Sequence, residues 1–433
     1  MRLRNKNVLV YGLGKSGRAV VKVLREKGAY VSFYDENIEF YNFVGFEKNP
    51  YGQTYDFVVV SPGVKCLGNK LLEDFQRRKI PILSELDFGF LLSKGKMIGI
   101  TGTNGKTTVS MLVYKILKTA GYDSVLCGNI GLPLTMAAEK TTKKSVVVCE
   151  VSNFQLELSR YFRANIACVT NLKPDHIDRH GSFEEYRRVK SKICQNMKFC
   201  DKLLLNFDDE EAKYMIFHKR FEYFSKQSLS KGTYIKNGYI FHNRKKLFSV
   251  ECIKLLGEKN LENVLASVAI CSNFNVKKED YEKALSSFMP AAHRMEIVGE
   301  YKGVTFVDDS KATNVASTVA CVLAFKDKSK ILLLGGQGKD IDYGEIFSCG
   351  VTYKKVVCFG QEGESIKQTA KNFGYDTEVF SNLRDAVLFA VNIAKKDDFV
   401  LLSPACSSFD EFESYAERGE KFKECVLEFV DEK

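Results

Sequence analysis

The sequence predicts an α/β protein in three domains, and three observations carry that prediction. Short apolar runs alternate with amphipathic stretches along nearly the whole chain, the pattern of parallel strands joined by helices. Glycine-rich turns close two of those runs, at Gly12–Gly17 and at Thr101–Lys106. The 433 residues exceed one ordinary domain, and the stretches Ser93–Lys96 and Pro290–Ala291 read as boundaries. The expected division is a Rossmann-like domain over 1–93, a central P-loop, ATPase-type α/β domain over 94–290, and a second Rossmann-like domain over 291–433.

Composition bounds the function. Hydrophobic residues make up 45% of the chain, enough for several cores, and the net charge of +10 is spread along it rather than blocked. That balance suits anionic small molecules. No arginine-rich arm or nucleic-acid motif is present, so no nucleic-acid partner is expected. The 13 cysteines lack paired zinc spacing and a secretory leader, and read as reduced, mostly buried thiols of a cytoplasmic protein. No apolar run approaches membrane-spanning length, so no membrane insertion is expected.

In the first segment Asn7–Tyr11 is a strand, Gly12-Leu-Gly-Lys-Ser-Gly17 a Gly-x-Gly-x-x-Gly turn, Arg18–Lys27 a helix and Tyr30–Tyr34 a second strand ending on Asp35. This is a nucleotide-type βαβ unit, with its acidic residue at the usual interval. A strand at Asp56–Val60 ends in a second such loop, Ser61-Pro-Gly63. A domain of about 90 residues is short for a complete dinucleotide fold, which favours a mononucleotide-sized site.

The centre of the chain is Ile98-Gly-Ile-Thr-Gly-Thr-Asn-Gly-Lys-Thr-Thr108. A buried strand over Met97–Ile100, a glycine-rich turn and a helix over Val109–Lys118 supply the context of a phosphate loop. Gly102 and Gly105 admit a polyphosphate, Lys106 reaches its terminal groups, and the hydroxyl of Thr107 or Thr108 suits magnesium. Glu150, at the end of strand Ser145–Cys149, is a metal ligand or a helix cap. His176 and His180 are four residues apart, a zinc spacing on a helix. Pro174 marks a loop there and the neighbours are hard oxygen donors, so His176 is read at a magnesium site and His180 as a satisfied surface histidine. Lys190, on the helix Phe183–Met197, ordinarily faces solvent. Beside a dication its ammonium would be opposed by more than the roughly 4 kcal/mol of a unit pair, and a neutral amine can add carbon dioxide to give a carbamate. Asn260 and Asn263 share a helical face, where they are nucleotide contacts or, for Asn260, a cap. In the third segment Arg294 is a candidate phosphate or ribose contact. Strand-end loops there carry Lys311, Thr313, Lys339, Ser407 and Ser408, groups suited to a small carboxylate, each equally able to cap a helix or face water.

The Thr101–Thr108 loop, Glu150, Asp175-His176, Lys190, Asn260 with Asn263, His293-Arg294 and Asp309–Asn314 together resemble the Mur ligases of peptidoglycan synthesis. Val151–Glu157, Leu334–Lys339 and Ser403–Asp410 resemble the D-glutamate-adding branch, and the likeness covers nearly the whole chain. It implies an ATP-dependent amide-forming enzyme with UDP-N-acetylmuramoyl-L-alanine and D-glutamate as substrates, an acyl-phosphate intermediate, ATP, two magnesium ions, and a monomer. Carried over by position, Lys15, Ser16, Asp35, Glu36, Gly63 and Asn129 hold the UDP-sugar. ATP falls to Gly102, Thr103, Asn104, Gly105, Lys106, Thr107, Thr108, Asn263, Arg294 and Asp309. Thr107, Glu150, His176 and a carbamylated Lys190 form the metal neighbourhood, with Lys106, Glu150, His176 and Lys190 catalytic. D-glutamate falls to Thr313, Lys339, Ser408 and Tyr415. Lys259, Asn153 and Tyr415 stand where a histidine, a serine and a phenylalanine are usual, and Lys15 and Glu36 are not the usual uridine-site residues. With a substrate in each domain, turnover implies domain closure.

Three other functions compete. A nicotinamide oxidoreductase would use Gly12–Gly17 but leave the phosphate loop without purpose. A nucleotide switch would bind ATP without turnover on adding acceptor and amino acid. A sibling ligase would add another amino acid, or glutamate to folate.

Overall fold

The computed structural model describes residues 2–37, 43–215, 220–255, 257–289, 292–338 and 341–431, without the side chains of Asp178, Val430 and Asp431. Strands and helices alternate as predicted, and the strands form three sheets of four, nine and six. They group into two compact units, Met1–Lys254 with Glu262–Phe288, and Leu255–Leu261 with Met289–Lys433.

The four-stranded sheet is wholly parallel, in the order Tyr30–Tyr34, Asn7–Tyr11, Phe57–Val60, Ile82–Ser84. Alternate residues of Asn7–Tyr11 point to opposite cores. Val8 and Val10 join Val20, Leu24 and Phe57, whereas Leu9 and Tyr11 join Val58, Leu72 and Phe75. Gly12 is held at φ +90, and Gly17 lies so close to it that a Cβ there would meet the Gly12 carbonyl oxygen at 1.8 Å. A side chain at either position would open the turn.

A helix over Glu85–Leu92 leads to the central sheet and fastens the two sheets of the first unit. Buried Asp87 accepts hydrogen bonds from Ser159 Oγ (2.8 Å) and the backbone N–H groups of Arg160, Tyr161 and Phe162 (2.9, 3.0 and 2.8 Å). Glu85 accepts from the Thr135 N–H at 2.9 Å. The central sheet places Lys96–Thr101 between Val146–Glu150 and Ile166–Val169, all parallel. Ser124–Gly128 lies beyond one flank, and Lys202–Asn206 and Phe221–Ser225 beyond the other. Three short strands over 233–249 close that flank, the last two pairings antiparallel. Since the core strands are parallel, the loops after Thr101, Glu150 and Val169 share one edge. That edge is where ligands of open α/β sheets bind.

In the second unit, Val304–Asp308, Phe399–Ala405, Lys330–Gly335, Lys355–Phe359 and Thr377–Phe380 run parallel, with Glu296–Tyr301 antiparallel at the edge. Cores cover both faces, Leu332 and Leu334 facing one and Ile331 and Leu333 the other. The strand Phe399–Ala405 runs through Pro404. It does so because the register slips between Leu333 and Gly335 and Ala405 takes φ +63, a bulge that excuses the missing proline N–H.

Among the described residues no helix is long and apolar enough to cross a membrane. All 13 cysteines are free thiols, and Cys200 is the exposed one.

Candidate active site

The phosphate loop is built as its sequence required, with the helix running over Lys106–Thr119. Gly102 takes φ +146, and a Cβ there would meet Thr170 Oγ1 at 2.0 Å. Gly105 takes φ +83, and a Cβ there would meet Asn263 Oδ1 at 2.2 Å. The neighbouring strand end braces the loop. Thr170 Oγ1 donates to the Asn104 carbonyl at 2.6 Å, and the Asn104 N–H donates to Asn171 Oδ1 at 2.8 Å. Thr103 Oγ1 lies 3.0 Å from the Tyr186 hydroxyl. Thr107 and Thr108 are buried in the first helical turn, whose N–H groups have no partner within the helix.

Two lysines converge here. Lys106 Nζ donates to the carbonyls of Gly102 (2.9 Å) and Thr103 (2.7 Å). Lys190 Nζ donates to the same Gly102 carbonyl at 2.8 Å and sits 4.7 Å from the centre of the Tyr186 ring. Lys190 is fully buried, and burial, then the Lys106 charge, drives its pKa well below the ordinary lysine value. Asp175 and Glu150 oppose that shift and are the carboxylates whose charge reaches it. Glu150 is buried, with one oxygen accepting from Asn129 Nδ2 at 2.7 Å and the other without a hydrogen-bond partner. An orphaned carboxylate oxygen at the strand end beside a phosphate loop, with the Thr107 hydroxyl in the loop's first helical turn, is the kind of hard oxygen donor that fits magnesium.

The two histidines part company. His176 caps a single helical turn, Ile177–His180, in the left-handed region at φ +52. Its ring packs edge-on against Phe154 at 4.8 Å. His180 is satisfied, as expected, but it is buried rather than on the surface: its Nε2 pairs with Asn153 Nδ2 at 2.8 Å. The helical turn starts only after His176, so this pair does not act as an i, i+4 zinc site. Among the described residues, the group of His, Cys and carboxylate ligands within mutual reach is His293, Glu296 and Asp308 in the second unit. Lys423 Nζ lies 3.0 Å from Glu296 and 3.9 Å from Asp308, so an ammonium already supplies that cluster's positive charge.

A cavity of about 530 Å³ opens at the strand ends of the first sheet and runs to the central one. Lys15, Ser16, Asp35, Glu36, Gly63 and Asn129 all line it, with Tyr11, Asn69 and Gln155. Asp35 accepts from the Leu13 N–H, and Glu36 from the Tyr11 hydroxyl at 2.6 Å. Lys15 Nζ donates to the Gly131 carbonyl at 2.7 Å. Asn129 thus belongs both to this cavity and, through Glu150, to the phosphate-loop edge.

In the second unit Asp309 is buried. Burial raises its pKa to about 7, against the pull of Ser403 and the Arg294 charge. Ser408 is buried, and its hydroxyl has no hydrogen-bond partner. Tyr415 opens the helix Tyr415–Asp431, with Lys311 Nζ 4.9 Å from its ring centre. Thr313 donates its N–H to the Lys311 carbonyl at 2.9 Å. Lys339 and the boundary Pro290–Ala291 lie outside the described residues.

Two residues escaped the sequence reading. Tyr186, four before Lys190 on one helical face, reads as core yet has its hydroxyl on the phosphate loop. The second is Arg418, which stands among glutamates in the sequence. It is fully buried and donates to the carbonyls of Ser310 (2.9 Å), Cys406 (3.0 Å) and Ser407 (3.0 Å), pinning two loops of the second unit. Burial lowers its pKa to about 10.

Comparison with known proteins agrees with this architecture. Residues 100–271 match the Mur ligase middle domain, and 293–406 match the Mur ligase, glutamate ligase domain. The UDP-N-acetylmuramoylalanine--D-glutamate ligase of Caldanaerobacter subterraneus subsp. tengcongensis is 35% identical over 99% of both chains. The protein of the same name from Thermoanaerobacter sp. is 36% identical, again over 99% of both. Among solved structures, the MurF ligase of Thermotoga maritima in complex with ADP superimposes with a TM-score of 0.64 at 18% identity, covering 99% of this chain and 96% of that one. The chain belongs to the Mur ligase family.

Proposed function

We propose that this protein is an ATP-dependent ligase that adds D-glutamate to UDP-N-acetylmuramoyl-L-alanine, a step in making peptidoglycan precursors. The observation that carries the reading is the double allegiance of Asn129. It lines the cavity offered to the nucleotide-sugar and holds Glu150, at the strand end beside the phosphate loop, whose other oxygen has no hydrogen-bond partner. An acceptor carboxylate delivered by the cavity and a nucleotide triphosphate on the loop would meet at that contact. The names of the full-length relatives support the choice of substrates.

A carboxylate is a poor electrophile, so it must first be activated. The acceptor carboxylate takes the γ-phosphoryl group of ATP, releasing ADP. The glutamate amine then attacks the acyl phosphate, forming the amide and releasing phosphate and a proton. Such transfers depend on positioning and charge neutralisation. Lys106, already on the loop, would turn from the Gly102 and Thr103 carbonyls to the β- and γ-phosphates. Magnesium, when bound, would neutralise charge on the phosphates and the acyl phosphate. Thr107, Glu150, His176 and Lys190 would hold it, Lys190 after its neutral amine has added carbon dioxide and lost a proton. His176 would serve as a metal neighbour first and a proton acceptor second. Asn263 beside the loop, with Arg294 and Asp309, would contact the nucleotide. Thr313, Lys339, Ser408 and Tyr415 would seat D-glutamate, the unsatisfied Ser408 hydroxyl being the best supported of the four.

We assign these roles to three domains, 1–93, 94–290 and 291–433, in a monomer. Free thiols and nucleotide substrates suit the cytoplasm. Phosphate release should require ATP, UDP-N-acetylmuramoyl-L-alanine and D-glutamate together. Release with another amino acid or acceptor, and none with this trio, would overturn the assignment.

A further inference from the structure

Arg179 has no part in the roles above, yet it joins both sides of the candidate site. It lies in the turn Ile177–His180, directly after the residues that carry His176, and its backbone N–H donates to the His176 carbonyl at 3.1 Å. Its side chain is 15% exposed and pairs in fork geometry with Glu157, Nε to Oε1 and Nη2 to Oε2, both at 2.7 Å. The same Nη2 reaches the strand-end loop of the first sheet, donating to the carbonyls of Pro62 (3.1 Å) and Val64 (2.9 Å). That loop carries Gly63 into the nucleotide-sugar cavity. The guanidinium also lies 4.4 Å from the centre of the Phe154 ring, and that ring packs edge-on with His176 at 4.8 Å. Phe154 and Glu157 belong to the helix Asn153–Glu157, which lends Gln155 to the cavity wall.

One planar cation therefore touches the cavity loop, the cavity-wall helix and, through Phe154 and its own backbone, the histidine turn. Only a guanidinium can do so. A lysine ammonium has no rigid fork and cannot satisfy a bidentate carboxylate, two carbonyls and a ring face together. We propose that Arg179 is a positioning residue that couples the loop Ser61–Val64 to the turn bearing His176, so that seating of the nucleotide-sugar and placement of the histidine are set together. The substrate half of this inference rests on the function proposed above.

The test uses the full chain with Arg179→Met, Arg179→Lys and Glu157→Gln. The first measurement needs no substrate: hydrogen exchange in the ligand-free protein. In Arg179→Met the hydrogen-bonded amides of Ser61 and Val64 and those of 176–181 should both exchange at least about fivefold faster, while 102–108 keep their protection. Acceleration of one segment alone, or of neither, overturns the coupling. In calorimetry, UDP-N-acetylmuramoyl-L-alanine should bind about tenfold more weakly to Arg179→Met and to Arg179→Lys, with magnesium ADP changed less than about threefold. Glu157→Gln should shift the same way by less. Unchanged acceptor affinity, full rescue by lysine, or equal loss of both ligands overturns the role. A parent protein whose two segments are coupled in exchange but which binds no UDP-sugar would sink the function proposed above and leave the coupling standing. If Arg179→Met fails to fold, Arg179→Lys and Glu157→Gln carry the same comparisons.

Discussion

Lys106 and Lys190 donate to a single carbonyl, that of Gly102, and two ammonium groups so placed repel. Burial falls on Lys190, so its pKa is the one driven down, which favours the amine over the ammonium there. Lys190→Ala should therefore abolish phosphate release, and a short carboxylate such as acetate or formate should restore part of it by standing in for the carbamate. A fully active variant, or one with no response to any carboxylate, would remove the carbamate from the mechanism. Asp309 makes a second prediction with a definite sign. Its carboxyl titrates near 7 in the folded protein against an ordinary 3.8, so the native state keeps a proton that the unfolded chain gives up. That stabilisation is full below the unfolded value and is lost as pH climbs through the folded one. Asp309→Asn should lose this dependence, and its urea stability relative to the parent should rise between about pH 5 and about pH 8, by at most a few kcal/mol. Parallel pH profiles would contradict it. Spacing alone leaves Lys190 looking like a solvent lysine. Its burial comes from Tyr186 and the closed phosphate loop, neither of which helical periodicity reports.

Helices here place chemistry by their ends. Ser182 caps Phe183–Ser191 by accepting from the Glu185 N–H at 3.2 Å, and Lys190 lies in the last turn of that helix. Ser182→Ala should cost about 1 kcal/mol in chemical denaturation and lower turnover further than the lost stability explains, because fraying moves Lys190. Unaltered turnover would mean that Lys190 is held by the loop alone. Where strand, glycine turn and helix coincide in the sequence, as at Met97–Lys118, the element was legible. Where a short element depends on remote partners it was not. The turn Ile177–His180 follows a proline and looks like plain loop, and it is kept helical by contacts of Arg179 and His180 with Glu157 and Asn153. The strand through Pro404 likewise needed its neighbour's register slip to exist.

Across the whole chain, the parallel strands of each sheet end at one edge, and the candidate site residues were read from the loops that follow those ends. Residues that join one segment to another were the illegible part. Asp87, Arg179 and Arg418 look in sequence like ordinary surface charges, and their meaning lies in carbonyls and N–H groups up to 117 positions away. Lys106 does not line the cavity proposed for the nucleotide-sugar, which the Asn129–Glu150 bond joins to the loop edge, so loss of Lys106 should spare binding there. Lys106→Ala should abolish phosphate release while UDP-N-acetylmuramoyl-L-alanine still binds within about threefold of the parent by calorimetry. Equal loss of both would show that the sites are not separable. Cys200 offers something of practical use. It precedes the strand Lys202–Asn206, on the rim opposite the phosphate loop, and is the sole cysteine of the 13 that lies well open to solvent. A maleimide dye should tag that position ahead of the rest, giving a fluorescent reporter at a spot no substrate is expected to visit.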